Sequence, residues 1–217
     1  MASLDNPHYR PTQLALIEGM ERPVGPVLQS VFVGSNAELM RTVAPIYLRG
    51  SVLDVTYGRG KWWEKFRPEP FAWHDLELDG VDCRNLPEAD DSYDTVCFDP
   101  PYVHGGTPGT VDGAADFFDR YGLQTCHVGS VLELMAAGTH EACRVARRFV
   151  LVKCMEFVAG STFRDGPAAA TAGAWDANWH KHDQIVHHTG GGIGGSHTTR
   201  VVLRAARAHS YLLVFAP

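Results

Sequence analysis

Residues 52–60 read Val52-Leu53-Asp54-Val55-Thr56-Tyr57-Gly58-Arg59-Gly60, an apolar strand that runs into a glycine turn with an acid between them. Glycines at such a turn let the backbone approach a ligand closely. Two familiar glycine-rich loops are excluded by their own spacing. A dinucleotide fingerprint requires a third glycine at position 63, which is Trp63. A phosphate-binding P-loop requires glycine at position 55, which is Val55, and Ser or Thr after Lys61, where Trp62 stands.

Downstream, a second apolar segment, Ser92-Tyr93-Asp94-Thr95-Val96-Cys97, leads into Phe98-Asp99-Pro100-Pro101-Tyr102. An acid, two prolines and an aromatic at the carboxyl end of a strand form a stiff, polar corner. The Asp99 carboxylate and the Pro100 carbonyl can both accept from one NH2 group, while the prolines fix φ and remove competing donors. Tyr102 offers a ring face on which a base can stack. Two acceptors pulling on an exocyclic amine push its nitrogen toward a tetrahedral shape and free its lone pair. Methylating such an amine is then a matter of positioning and preorganised electrostatics. Taken alone, the tetrapeptide is also compatible with an ordinary Pro-rich turn; the glycine turn upstream strengthens the functional reading.

The chain resembles the amino-methyltransferases of DNA, which use S-adenosylmethionine (SAM) to methylate adenine or cytosine on the exocyclic nitrogen. The matching pieces are Asp54-Val55-Thr56-Tyr57-Gly58-Arg59-Gly60, Asp99-Pro100-Pro101-Tyr102 and the closing Ser210-Tyr211-Leu212-Leu213-Val214-Phe215. It looks most like the small versions carried by bacteriophages, over about residues 30 to 217. The resemblance implies an α/β, Rossmann-like SAM-dependent methyltransferase fold. Its sheet would be mostly parallel with an antiparallel C-terminal strand. It also implies catalytic Asp99, Pro100, Pro101 and Tyr102. SAM would be held by Asn36 on a helix that closes over its methionine end, by Asp54, Thr56, Tyr57, Gly58 and Gly60 around the glycine turn, and by Asp75, Asp82 and Cys83 downstream. Asp75 is the candidate for the ribose hydroxyls, with Glu77 and Asp79 as rivals, and Asp82 for the adenine amino group; each is equally a candidate exposed loop acid. The chain departs from the family twice. The family commonly has Pro-Phe after the first acid, and it carries a target-recognition segment for which little chain is left here.

At 217 residues, 45% hydrophobic and 20% charged, the chain has ordinary globular composition. Residues 30–217 are expected to form one domain after an irregular, Pro-rich extension at 1–29. The start shows no signal-peptide pattern and no apolar run approaches membrane-spanning length. Five widely spaced cysteines, with no Cys-x-x-Cys, read as reduced cytoplasmic thiols. A net charge of −6 is unusual for a DNA partner, but residues 69–99 hold ten acids and one base. Basic residues gather elsewhere: Arg59, Lys61, Lys65 and Arg67; Arg144, Arg147, Arg148 and Lys153; Arg200, Arg204 and Arg207. A surface split in this way can meet a phosphate backbone, although each cluster also reads as a solvated face.

Along the chain, Ser35-Asn36 caps a helix through Ile46. Strands are expected at 51–55, 71–76 and 81–84, with a short helix at 60–66 and none after the second strand. A helix over 129–147 leads into an apolar strand at 149–155. Loops are placed at 103–121, 157–178 and 189–198, a helical segment at 182–188, and an antiparallel strand pair at 199–203 and 209–215. Eleven histidines match no zinc spacing, and no Gly-x-Ser-x-Gly elbow supports a hydrolase. Three functions stay open: a DNA amino-methyltransferase acting on flipped or single-stranded bases, a SAM enzyme acting on RNA or another planar amine, and a non-catalytic subunit of the same fold. Adenine against cytosine, the recognition sequence and the oligomeric state are not encoded in these motifs.

Overall fold

A computed structural model describes residues 28–101, 128–159, 162–189 and 209–217. Its main element is a seven-stranded sheet of β1 (Val31–Val33), β2 (Val52–Asp54), β3 (Phe71–Trp73), β4 (Tyr93–Phe98), β5 (Ala146–Cys154), β8 (His180–His188) and β9 (Ser210–Ala216), in the order β1-β8-β9-β5-β4-β2-β3. β6 (Glu156–Ala159) and β7 (Thr162–Asp165) form a separate hairpin. Six strands run one way, and only β9, wedged between β5 and β8, runs against them. The chain therefore has the Rossmann-like, mostly parallel fold with a reversed C-terminal strand that the sequence implies.

The central strands are buried on both faces, so successive residues enter different cores. Val52, Cys97, Leu151, Leu212 and Val214 pack with Leu39, Met40, Val43 and Tyr47 of α1 (Asn36–Tyr47). Leu53, Val96, Phe98, Val150, Val152, Leu213 and Phe215 pack on the other face, with Met135 and Ala142 of α2 (Val128–Val145) and Ala170 and Ala174 of α3 (Gly166–Asp176). Burying each large aliphatic or aromatic side chain stabilises the fold by roughly 1.5–3 kcal/mol. At the start of α1, Ser35 Oγ accepts from Glu38 N–H at 3.3 Å, and Glu38 Oε2 accepts from Ser35 N–H at 2.9 Å. This closed capping box is the helix start expected at Ser35-Asn36.

Several expectations are corrected. Residues 60–66 form only a single 3-10 turn, Lys61–Trp63. Residues 81–84 form a turn and not a strand: Asp82 Oδ1 accepts from Arg84 N–H at 2.9 Å, and its carboxylate also holds the Arg84 guanidinium. Acids here bond to their own backbone, the usual competitor of regular structure. Asp79 Oδ1 likewise accepts from Asp75 N–H and Val81 N–H. The whole stretch from 74 to 92 is built of such turns, and the helix after the second strand is absent, as expected. Residues 182–188 belong to β8, not to a helix; Ile185 and His187 point into the core with the period of a strand.

The described residues of the Ala-, Gly- and Thr-rich stretch expected as a loop at 157–178 belong mostly to β6, β7 and α3. Its small residues allow close packing on α2: a Cβ added at Gly173 would lie 2.0 Å from the Ala136 carbonyl oxygen. Asp165 Oδ1 caps α3 through Ala168 N–H at 2.9 Å. β9 pairs with β8 and β5. Its expected partner at 199–203 lies outside the described residues, as do most of the loops at 103–121 and 189–198 and positions 1–27. β1, an edge strand next to β8, was not foreseen.

Candidate active site

The carboxyl ends of β2, β3, β4 and β5 open on one rim, where ligands collect in open α/β sheets. A cavity of about 400 Å³ lies there, lined by Asp54, Thr56, Tyr57, Gly58, Arg59, Lys61, Trp62, Asp75, Glu77, Leu78 and Asp99. The glycine turn and the Asp99 corner, the two sequence segments that point to function, thus share one cavity.

Asp54 ends β2 and is 3% exposed. Its Oδ1 accepts from Thr56 N–H at 2.9 Å and its Oδ2 from Trp63 Nε1–H at 2.6 Å. It holds the glycine turn from below. Burial lifts its pKa to about 7; the two donors oppose this, and repulsion by Asp99 and Asp75 adds to it. Gly58 and Gly60 have φ of +54° and +67°. A Cβ at Gly60 would strike the Tyr57 hydroxyl at 2.6 Å, whereas one at Gly58 would meet only Thr56 O, at 3.9 Å. The open flank of Gly58 forms part of the cavity wall, a cradle that a side chain would fill. Tyr57 stacks on Trp73 at 4.9 Å and accepts from Arg67 Nη2–H at 2.7 Å.

Asp75 follows β3 and is 6% exposed. Its Oδ2 accepts from Gly58 N–H at 2.8 Å, and its Oδ1 from the N–H groups of Glu77 at 3.0 Å and Leu78 at 3.3 Å. The carboxylate thus braces the glycine turn, and Glu77 lines the cavity beside it. Asp82 and Cys83 border a narrow pocket next door, with Val55, Thr56, Asp75, Leu76, Val81, Pro101 and Leu134. Burial pushes the Cys83 thiol up to about 12, so it is a neutral wall residue at pH 7. Asn36 lines neither space: its Oδ1 accepts from Lys153 Nζ at 3.0 Å.

Asp99 directly follows β4. Its N–H donates to Thr56 Oγ1 at 2.7 Å, which ties the corner to the glycine turn. Its Oδ1 is shielded from solvent and has no hydrogen-bond partner. The indole N–H of Trp62 faces the same carboxylate and is also buried without completing a hydrogen bond. Burial raises the Asp99 pKa to about 6, against the attraction of Lys153 and the Trp62 N–H. Buried polar atoms are nearly always paired, so an acceptor and a donor left open at one cavity mark a place for a polar ligand. Pro100 and Pro101 are buried behind Asp99. Tyr102 lies outside the described residues.

Sequence reasoning used Trp62 and Trp63 only to exclude other loops, and counted Lys153 only as part of a basic cluster. The structure places Trp62 in the cavity wall, Trp63 under Asp54 and Lys153 behind Asp99. Nothing in their spacing signals this. Among the described residues, no three His, Cys, Asp or Glu side chains converge as a metal site, and no helix is long and apolar enough to cross a membrane.

No protein-family model and no curated protein matches the chain. Solved structures show looser likenesses. TTHA0409 of Thermus thermophilus, a candidate DNA modification methylase, matches in its complex with S-adenosyl-L-methionine at 13% identity and a TM-score of 0.40, over 76% of this chain and 55% of that one. TrmN from Thermus thermophilus matches at 14% identity and a TM-score of 0.48, over 83% and 48%. The PH0226 protein of Pyrococcus horikoshii OT3 matches at 14% and 0.43, over 83% and 90%. The chain spans about half the length of the first two. Likenesses at this level carry no argument about activity.

Proposed function

We propose that this protein transfers a methyl group from SAM to the exocyclic amino group of a nucleic-acid base, with DNA adenine the favoured target. The observation that carries the reading is Asp99: a carboxylate oxygen, buried and without a partner, set at the cavity and fastened to the glycine turn through Thr56. An NH2 group placed there would donate to Asp99 and to the Pro100 carbonyl.

The cavity suits the cofactor. Four acidic residues, Asp54, Asp75, Glu77 and Asp99, line it against two basic ones, Arg59 and Lys61, and this acidic excess favours a cationic guest. Gly58 leaves room for the backbone to lie against it, and Glu77, on the cavity wall, would accept from ribose hydroxyls. When bound, SAM supplies a methyl group on a positively charged sulfur. The residues of this chain hold the acceptor nitrogen in line with that carbon and keep its lone pair free. On accepting that methyl group the nitrogen would shed one proton, which Asp99 or water would take up, leaving the cofactor as its neutral sulfide. The target base must leave its stack to reach Asp99, so a duplex would be read by base flipping.

The test is direct. Calorimetry should show SAM binding. Nucleoside analysis of DNA and RNA incubated with SAM should then show N6-methyladenine in DNA. N4-methylcytosine would change the base, and modification of RNA alone would change the substrate. Binding without any methylated nucleoside would refute the reading.

A further inference from the structure

Lys153 is 2% exposed, the only buried Lys or Arg among the described residues. It sits in β5 after the apolar run Phe149-Val150-Leu151-Val152, where an ammonium is costly unless partners surround it. The parallel register of β4 and β5 sets Phe98 beside Val152, so the next residues along, Asp99 and Lys153, lie side by side at the rim. From α1, Asn36 Oδ1 accepts from Lys153 Nζ at 3.0 Å.

His187 of β8 is fully buried in the same layer and is within the reach of the Lys153 charge. Its Nε2 lies 2.8 Å from the Gly34 carbonyl, which can only accept, so Nε2 carries the proton and Nδ1 is a bare lone pair. Burial and Lys153 together depress its pKa and keep it neutral. The titratable groups that interact with Lys153 are Asp99, Cys154 and His187; Asp54 and Asp99 repel each other, and Arg59 and Lys61 line the cavity that Asp99 faces. Asp54 faces away, with both oxygens bonded to Thr56 and Trp63.

We infer that Lys153, oriented by Asn36, is a positioning residue that keeps Asp99 ionised as an acceptor for the target amine. This rests on the methyl-transfer reading. A protonated Asp99 would present one acceptor fewer and a competing donor to the incoming NH2 group. Burial of Asp99 favours that wrong form, and Lys153 is the cation placed to oppose it.

The test is a carbon-13 carboxyl titration of the labelled protein, with the Asp99 signal assigned by its loss in Asp99→Asn. Lys153→Met should raise the Asp99 midpoint by about one to three pH units, and Lys153→Arg should return it close to wild type. The acid limb of the methylation rate should move with it. An unmoved midpoint in a folded Met variant overturns the inference. If that variant does not fold, Lys153→Gln, which keeps a polar head for Asn36, is read the same way. A wild-type midpoint above neutrality overturns it with no variant at all. If wild type methylates neither DNA nor RNA, the functional reading fails, yet the titration still decides whether Lys153 governs Asp99.

Discussion

Thr56 joins the two halves of the site through one side chain and one amide. Its N–H donates to Asp54 and its hydroxyl accepts from Asp99. Thr56→Val keeps the shape but leaves the Asp99 N–H without its acceptor, at a cost of about 1–3 kcal/mol. The turnover number should fall while SAM affinity holds, and Thr56→Ser should restore it. Unchanged turnover in the Val variant would show that the Asp99 corner holds itself. Asp99→Ala should abolish methyl transfer and leave SAM affinity within a few-fold, as calorimetry beside the nucleoside assay would show. The working form of Asp99 is ionised, and its pKa is raised to about 6. The wild-type rate should therefore fall as pH drops through about 6, well above the ordinary carboxylate range. A rate that stays constant down to about pH 4, the ordinary carboxylate pKa, would remove Asp99 from the acceptor role.

At the scale of elements, the glycine turn makes a prediction that separates ligand from fold. Gly58→Ala adds a Cβ with no protein atom but Thr56 O within 4 Å, at a φ of +54°. It should cost about 1–2 kcal/mol of stability in urea unfolding and weaken SAM binding severely. Normal SAM binding would clear this turn of the assigned role. Gly173→Ala tests the opposite case, because its Cβ would collide with the Ala136 carbonyl. The α2–α3 interface must spread, at about 1–3 kcal/mol, with no direct effect on the cavity. Equal stability to wild type would mean that these helices slide freely. What could be read from the chain follows the same division. Strands β2, β4 and β5, helices α1 and α2 and the Asp99 corner announce themselves by apolar runs, a capping serine and Gly/Pro punctuation, all local signals. β8 did not, because its polar, His-rich run becomes a strand only by pairing with β9 and β1. α3 looked like a loop because alanine and glycine have value only against the α2 backbone they touch. Lys153, Trp62 and Trp63 gain their roles from register and packing, which no spacing in the sequence displays.

Across the whole molecule, charge decides the side from which a polyanion can approach. The β3–β4 connection carries exposed Asp79, Asp90 and Asp91. Much of this acidity is spent internally: Arg144 bonds Asp90, Glu141 and the Leu86 and Glu88 carbonyls, and His74 bridges Asp79 and Glu88. Burial lowers the His74 pKa, but its two carboxylate partners outweigh this and raise it. On the glycine-turn side, Lys61 pairs with Glu64 and Lys65 with Glu38, whereas Arg59 is exposed at the cavity and forms no ion pair among the described residues. A nucleic acid that delivers a base to Asp99 should therefore lay a phosphate against Arg59. Arg59→Ala should weaken DNA binding uniformly across sequences and reduce the salt slope of log K by about 1. Lys65→Ala, which removes a cation already paired with Glu38, should change that slope much less. Fluorescence anisotropy over a salt series measures both. Equal slopes for wild type and the Arg59 variant would mean that the strand enters by another face, and Arg59 would then be a wall of the cofactor cavity and nothing more.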